Sequence, residues 1–336
     1  MIEKKECYRF LWQRTAQNEA RLLRVYGQSA KIVLPDQIAG YPLTQIAPYC
    51  FSASDHFSEL DNWEETYMEA EAVVDGSSIE QSLHELSGSY IETVVLPDSI
   101  REIGNCTFYN CKNLKVLSIG CDIQELGSDV FMNCRNFGTI NVRCGIAHKT
   151  GVRQILHQLS SNMEVYFYGE AGLEAVLFYP EYYEAYDEIA PAHIFGRKIT
   201  GEGFRARQSF TDGVVDLQQY DAVFSKACVD EPEKTLSRMA LNRLSYPIGL
   251  SAESQKRYES YVREHAGSIG KRMVHKREME RLHYLCQNKL FTKEELDECI
   301  LEATEKEWPE GIAGMMHWRQ SYYPDDKNKR YEFDDF

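Results

Sequence analysis

The 336-residue sequence predicts an α+β fold, in which a solenoid of short parallel strands with convex turns is followed by an all-α, helical-repeat-like domain. Two observations predict this arrangement. Apolar residues recur at a fixed step of 23 positions within residues 96–137, and a period of about 20–29 residues with regularly placed aliphatics is typical of solenoids. From Leu217 onward, the apolar spacing changes to that of amphipathic helices.

Eight positions match across the repeat without a gap. The matched pairs are Leu96 and Ile119, Ile100 and Ile123, Ile103 and Leu126, Gly104 and Gly127, Phe108 and Phe131, Asn110 and Asn133, Cys111 and Cys134, and Leu114 and Phe137. Residues 91–96 alternate in polarity, which predicts a short strand that recurs at 114–119 and 137–142. Val94 therefore points into the solenoid, and we expect Phe108 and Phe131 to be buried in successive coils.

A further copy of the repeat lies upstream. Residues 32–38 parallel residues 94–100, although five residues at 39–43 are inserted before the pattern resumes. The runs Leu-Pro-Asp-x-Ile, Ile-Gly-x-x-x-Phe and Asn-Cys-x-x-Leu resemble the BspA-like leucine-rich-repeat family of bacteria over roughly residues 20–145. The resemblance implies a right-handed leucine-rich-repeat solenoid, a role in recognising other macromolecules, and no enzyme activity.

The remaining pattern predicts the domain organisation. We predict a leucine-rich-repeat domain at 1–168 with an acidic insertion at about 52–89, an aromatic connector at 169–215 and an α-helical domain of five or six helices at 216–336. In the helical domain, Thr292 and Glu295 predict a capping box at the start of a helix. Leu282 precedes Met315 by the same offset by which Leu285 precedes Trp318, which suggests paired, ankyrin-like helices without the Thr-Pro-Leu-His motif.

Acidic residues are concentrated in one part of the chain. The net charge is −15, and residues 32–100 contain thirteen acids and neither lysine nor arginine. A polyanionic surface repels phosphate backbones, so we expect no nucleic-acid partner. The insertion at about 52–89 is interpreted as a helical or disordered excursion with solvated acids, or alternatively as a recognition arm for a basic partner, anchored by Trp63 and Tyr67.

Composition also bears on location. No stretch approaches the length of a transmembrane helix, and the first residues lack the apolar core of a signal peptide, so we expect a cytoplasmic protein without membrane insertion. Many BspA-like proteins are found at the cell surface, so a secreted adhesin whose leader was removed is the alternative. Several of the ten cysteines occupy equivalent, core-like positions of the repeat, and we expect all ten to be free thiols.

The sequence contains none of the common catalytic motifs. No histidine pair has metal-ligand spacing, and neither a nucleophile elbow nor a kinase motif set occurs. We therefore expect no catalytic residue, metal or cofactor. The alternative is an enzyme or small-ligand site in the aromatic and basic stretch between Tyr179 and Arg207, which would require a pocket with a titratable group of displaced pKa.

The predicted binding residues are the strand positions that face away from the core. They are Lys31, Val33, Thr93, Val95, Val116, Ser118, Thr139 and Asn141. Trp63, Glu64 and Glu65 of the insertion are added as an anchor and as charges. Together they predict a non-enzymatic, bacterial protein-interaction scaffold whose partner is another protein with a basic edge.

Overall fold

The computed structural model describes residues 4–54, 63–72, 83–189 and 194–324. The chain divides into two compact units, the first ending at Glu231 and the second beginning at Pro232. The architecture is a β-solenoid of about five turns followed by a helical C-terminal region, so the predicted fold class is confirmed.

The elements are as follows. The strands of the first unit are β1 (Lys4–Arg14), β2 (Ala20–Gly27), β3 (Lys31–Val33), β4 (Gln37–Ile38), β5 (Tyr41–Ile46), β6 (Glu64–Ala72), β7 (His84–Glu85), β8 (Thr93–Val95), β9 (Glu102–Ile103), β10 (Val116–Ile119), β11 (Glu125–Leu126), β12 (Thr139–Val142), β13 (Met163–Gly169), β14 (Gly172–Tyr179), β15 (Tyr183–Ile189), β16 (Ile194–Thr200), β17 (Phe210–Thr211) and β18 (Val214–Val215). Its helices are α1 (Val152–His157), α2 (Gly203–Ala206) and α3 (Leu217–Asp230). The second unit contains α4 (Glu233–Ser245), α5 (Ala252–Glu264), α6 (Ala266–Lys276), α7 (Met279–Gln287), α8 (Lys293–Glu305) and α9 (Pro309–Tyr322).

One sheet of the solenoid is a stack of parallel strands. Strands β3, β8, β10, β12 and β13 follow one another, and antiparallel β14 closes the stack. Their register places one fully buried side chain from each parallel strand in a single row, formed by Ile32, Val94, Leu117, Ile140 and Val165. The alternation read from the sequence is thus confirmed, because side chains of a strand point alternately to its two faces.

A ladder of phenylalanines fills the core of successive coils. The rings of Phe51 and Phe108 lie 5.0 Å apart, and those of Phe108 and Phe131 lie 5.6 Å apart, each pair within 6° of parallel. Phe51 and Phe108 are fully buried and Phe131 is 4% exposed. The expected burial of Phe108 and Phe131 at equivalent places is confirmed.

The repeated asparagines have a backbone role. Asn110 and Asn133 have φ values of 63° and 64°, in the left-handed region that asparagine tolerates better than most residues. The Asn133 side-chain amide donates to the Asn110 side-chain oxygen at 2.9 Å. The asparagine of the motif therefore makes the turn and also ties neighbouring coils together.

The acidic insertion contributes a strand. β6 pairs antiparallel with β1 from Glu64 opposite Trp12 to Ala72 opposite Lys4, and the Trp12 indole donates to the Thr66 hydroxyl at 2.9 Å. The interpretation of the insertion as a helical or disordered excursion is therefore wrong for residues 64–72, because β6 completes the pairing of the N-terminal strand. Residues 55–62 and 73–82 of the insertion lie outside the described residues.

The C-terminal end of the solenoid is covered by a helix. The Tyr220 hydroxyl of α3 accepts from the Phe178 N–H at 3.1 Å and donates to the Phe178 carbonyl at 2.7 Å. It thereby satisfies main-chain groups on the outer edge of β14, where an open edge would invite non-native pairing. This contact places α3 in the first compact unit, whereas the sequence had grouped residues 216–230 with the later helices.

Helix pairs repeat in the second unit. α6 contacts α8, and α7 contacts α9. The turn from α6 to α7 and the turn from α8 to α9 contain the same hydrogen bond, since the Glu278 N–H donates to Met273 O and the Trp308 N–H donates to Ala303 O, both at 3.0 Å. Leu282 and Leu285 of α7 and Met315 and Trp318 of α9, the residues related by the sequence offset, are all buried.

Individual helix predictions had different outcomes. The capping box of Thr292 and Glu295 is confirmed at the start of α8. Met315 and Trp318 are buried as their spacing suggests, whereas Met316 is 52% exposed. Described residues 217–324 contain seven helices, of which six belong to the second unit.

Candidate functional site

The eight strand residues chosen from the sequence lie together in two rows. The first row is Lys31, Thr93, Val116 and Thr139, and the second row is Val33, Val95, Ser118 and Asn141. We call these two rows the strip. Neighbouring strands are about 4.8 Å apart and alternate residues about 7 Å apart, so the strip is long and narrow.

The strip is only partly open to solvent. Lys31 is exposed and Val33 is 41% exposed, whereas Thr93, Val95, Val116, Thr139 and Asn141 are half-buried. Ser118 is only 8% exposed, and its hydroxyl accepts from the Asn141 side-chain amide at 3.3 Å. Ser118 therefore supports Asn141 rather than offering its own hydroxyl to a partner.

Two residues that the sequence prediction omitted extend the strip. Glu164 is in register with Thr139, and Tyr166 is in register with Asn141. The Tyr166 hydroxyl donates to the Glu164 carboxylate at 2.8 Å, and Glu164 is 4% exposed. The sequence contains a signal for them, because residues 165–168 form a run of β-branched and aromatic residues that is typical of a strand.

The anchor and charges of the insertion lie at the start of β6. Trp63 is 46% exposed, and Glu64 and Glu65 are exposed. Glu65 forms a 3.0 Å ion pair with Arg9, whose guanidinium lies 3.8 Å from the centre of the Tyr26 ring. The charge of Glu65 is thus partly offset by Arg9 before any partner binds.

The strip and the acidic strand belong to different sheets. β6 is the outer strand of the sheet ordered β11-β9-β5-β2-β1-β6, whereas the strip runs across β3, β8, β10 and β12. The two groups of predicted binding residues therefore lie on separate sheets of the first unit.

At the two ends of the stretch between Tyr179 and Arg207, the side chains have a structural role. Both side chains are buried, and burial raises the pKa of Tyr179 well above its usual value and lowers the pKa of Arg207 to about 10. The Arg207 guanidinium donates to the carbonyls of Pro180 and Ser161 at 2.5 Å and of Gly203 at 3.0 Å. Arg207 therefore ties three segments together instead of facing a ligand.

Within the connector, β15 and β16 form a hairpin. Tyr183 and Tyr186 are about two-thirds exposed, at 65% and 64%. Arg197 pairs with Glu184 at 2.5 Å and lies 5.0 Å from the centre of the Phe204 ring. The hairpin of the predicted aromatic connector therefore presents Tyr183 and Tyr186 to solvent, whereas Tyr182 is buried.

The described residues offer neither a metal centre nor a membrane-spanning helix. Within 4–54, 63–72, 83–189 and 194–324, no cluster of three or more His, Cys, Asp or Glu side chains is placed to hold a metal ion. In the part of the chain that the structure describes, no helix combines the length and apolarity needed to cross a bilayer.

Comparison with known families identifies the repeat. Residues 77–150 match the family model described as BspA type Leucine rich repeat region (6 copies). The repeat segment is of the BspA type. The match includes β8 to β12, which carry most of the strip, and the BspA-type family suggests a repeat-based interaction or adhesion role that is typically non-enzymatic. The C-terminal helical region is not assigned to a family, and the chain matches no curated protein and no solved structure.

Proposed function

We propose that this protein is a non-enzymatic, bacterial protein-interaction scaffold that binds its partner through the strip on the BspA-type repeats. The observation that carries the proposal is the continuous register of Lys31, Thr93, Val116 and Thr139, and of the row beside them. Small, mostly uncharged side chains repeated at strand spacing make a regular surface, and repeat proteins commonly use such extended surfaces for recognition.

The size of the strip limits what it can do alone. Four strands at about 4.8 Å spacing and two rows about 7 Å apart cover on the order of 100–150 Å². A stable protein interface buries about 800 Å² on each partner. The partner must therefore extend beyond the two rows, over Glu164 and Tyr166 at one end or towards the N-terminal sheet at the other.

The acidic strand is suited to a role in association rather than in tight contact. Glu64 is exposed, and Glu65 shares its charge with Arg9. Exposed charges change the rate of encounter more than they change the final affinity. We therefore assign to Glu64 and Glu65 the attraction of a basic edge on the partner, and to Trp63 an anchoring contact.

The strip is tested by introducing bulk and charge into its rows. We expect the double variant Thr93→Arg and Thr139→Arg to weaken partner binding by at least about tenfold, since both side chains point out of the parallel sheet and loss of a few central contacts costs about 1–2 kcal/mol or more. The measurement is crosslinking capture from the native host, followed by binding kinetics with the captured protein.

The matched control for the strip adds the same two charges elsewhere on the first unit. Met132 and Val229 are 51% and 81% exposed and lie outside both rows, so Met132→Arg with Val229→Arg should bind like the unmodified protein. Equal binding by the strip variant and the control variant would place the partner on another surface.

The charges are tested through the association rate. Raising the salt concentration should slow association, because screening acts over about 8–10 Å at ordinary ionic strength. Glu64→Gln with Glu65→Gln should reduce both the rate and its dependence on salt, whereas Glu305→Gln, an exposed acid of α8, should change neither. A rate that is insensitive to salt and to both glutamates would remove the acidic strand from the proposal.

The cellular location is a separate part of the proposal. We assign the protein to the cytoplasm, although BspA-type repeats are often found on surface or secreted proteins. Fractionation of native cells, together with protease treatment of intact cells, distinguishes the two locations. Digestion by external protease would indicate the adhesion role instead.

A further inference from the structure

Two cysteines occupy the same position in successive coils. Cys121 and Cys144 are separated by the step of the repeat that also relates Phe108 to Phe131. The register of β10 and β12 ends with Ile119 opposite Val142, and the parallel ladder continues with the Arg143 N–H donating to Ile119 O at 2.9 Å. Just beyond the last paired positions, the chains of the two coils therefore still run side by side.

Cys121 and Cys144 each follow the last paired residue of neighbouring parallel strands by two positions, which places them side by side on adjacent coils. Burial and a side-chain hydrogen bond with Cys121 raise the pKa of Cys144 to about 12. Neighbouring parallel strands lie about 4.8 Å apart, and disulfides join residues whose Cα atoms are about 4.4–6.8 Å apart. A bond between the two sulfur atoms thus fits the spacing of the coils without separating them.

A second stacked pair shows that this arrangement is not a general consequence of the repeat. Cys111 and Cys134 are separated by the same step, but their thiols contact the main chain of the preceding coil. The Cys111 sulfur donates to Phe51 O at 3.2 Å, and the Cys134 sulfur donates to Phe108 O at 3.0 Å. Both are buried, and burial raises the pKa of each thiol. This pair is engaged in holding the coils and serves as an internal control.

The Cys121 side of the pair is open to small molecules. Cys121 is half-buried and borders a cleft of about 890 Å³, whose walls include Lys149 and Arg153. Cys144 is buried, although it borders a separate cleft of about 660 Å³. An incoming reagent therefore reaches Cys121 first, and Cys144 is positioned to react with the product.

We infer that Cys121 and Cys144 form a reversible disulfide between neighbouring coils by exchange with a low-molecular-weight disulfide. The Cys121 thiolate attacks one sulfur of the reagent, the reagent's S–S bond breaks, and one half leaves as a thiol after taking up a proton. The Cys144 sulfur then loses its proton, attacks the Cys121 sulfur, and releases the second half as a thiol. Two protein thiols are oxidised, and one disulfide is reduced to two thiols.

The order of the two steps follows from the environment of each thiol. Attack requires a thiolate and access to the reagent, and Cys144 is buried with a raised pKa. Its attack on the mixed disulfide is intramolecular, so the proximity of the two sulfurs compensates for a low fraction of thiolate. The product would join the ends of β10 and β12, which carry half of the strip.

The test uses the reduced full-length chain and glutathione disulfide as the reagent. After incubation under native conditions, acid quenching and alkylation in denaturant, we expect eight of the ten cysteines to remain free or to carry glutathione, and one crosslinked peptide to join Cys121 to Cys144. Cys144→Ser should accumulate a glutathione adduct on Cys121, and Cys121→Ser should leave Cys144 unmodified. Cys134→Ser should form the same crosslink as the unmodified chain.

Exposed Cys7 and Cys228 report that the reagent is active. If they react while no Cys121–Cys144 peptide forms in the unmodified chain, the inference is overturned, independently of how the serine variants fold. A crosslink of Cys111 to Cys134 in the folded protein would also contradict it. Reversal of the Cys121–Cys144 bond by added reduced thiol is the final expected result.

Discussion

Replacing Phe108 with alanine should lower the free energy of unfolding of the first unit by about 3–5 kcal/mol, the usual cost of truncating a buried phenylalanine. Phe108 is fully buried, and its ring is stacked between those of Phe51 and Phe131 at 5.0 and 5.6 Å. Truncation removes two ring contacts and leaves a cavity in the middle coil. Each coil is stabilised by its contacts with the neighbouring coils, so weakening the middle coil should also destabilise the coils on either side of it.

Urea unfolding combined with hydrogen exchange measures this effect and separates the two units. Amides of β8, β10 and β12 should lose protection, whereas those of α6 to α9 should not, because the helices belong to the second unit. Met132→Ala is the control, since Met132 directly follows Phe131 in the chain but is 51% exposed. A loss below about 1 kcal/mol for Phe108→Ala would mean that the ring does not carry the core packing attributed to it.

The coils were predictable because each repeated residue has a local role. Phe108 and Phe131 fill the core, Val94 alternates inward, and Asn110 and Asn133 make a turn that requires a left-handed backbone. These roles depend on the immediate neighbours in sequence and on a copy of the same coil. A constant step along the chain therefore carries enough information to place each of them.

The ends of the solenoid were not predictable in the same way. β6 is polar and acidic, and its strand conformation depends on pairing with β1, which is distant in sequence. α3 looks like any amphipathic helix, and its attachment to the first unit depends on tertiary contacts such as those of Tyr220 with Phe178 and Tyr179. The contacts at the ends of the solenoid each occur once, so the sequence contains no second copy of the pattern from which they could be recognised.

In the candidate site, too, some features follow from the repeat pattern and others depend on tertiary contacts. The outward positions of the strip followed from alternation, and the register brings all eight into two rows. The burial of Ser118 beneath Asn141 and the pairing of Glu65 with Arg9 depend on tertiary contacts between side chains. A one-dimensional pattern therefore locates the surface, whereas the groups that remain available to a partner are decided by contacts that the pattern does not encode.

Main-chain carbonyls in the first coil of the solenoid accept hydrogen bonds from the side chain of Arg24. Between successive coils, main-chain N–H groups of one coil donate to carbonyls of the next. The Phe51 N–H donates to Thr107 O, and the Phe108 N–H donates to Val130 O. The position of Thr107 corresponds in the first coil to Cys50, whose carbonyl has no preceding coil to bond. The Ser52 carbonyl is in the same situation, because it corresponds to the Met132 carbonyl, which accepts from the Asn110 N–H of the preceding coil.

Arg24 supplies the missing donors from β2. Its guanidinium donates to the carbonyls of Tyr49 at 2.6 Å, Cys50 at 2.9 Å, Ser52 at 2.8 Å and Ser54 at 2.9 Å. The residue is 4% exposed. A planar group with five N–H donors can bond several carbonyls at once, which the single ammonium of lysine does less well.

Arg24→Met should therefore lower the free energy of unfolding of the first unit by about 3–5 kcal/mol, because it leaves several buried carbonyls without donors. Arg24→Lys should have an intermediate effect, since it keeps the charge but not the geometry. The control is Arg101→Met, whose side chain is 45% exposed and pairs with Glu19, a surface contact worth about 0–1 kcal/mol. In hydrogen exchange, the first coil should lose protection before the coils that contain Phe108 and Phe131. If Arg24→Met and Arg101→Met cost the same, the first coil does not depend on Arg24, and the pairing of β1 with β2 and β6 would have to stabilise the N-terminal end of the solenoid by itself.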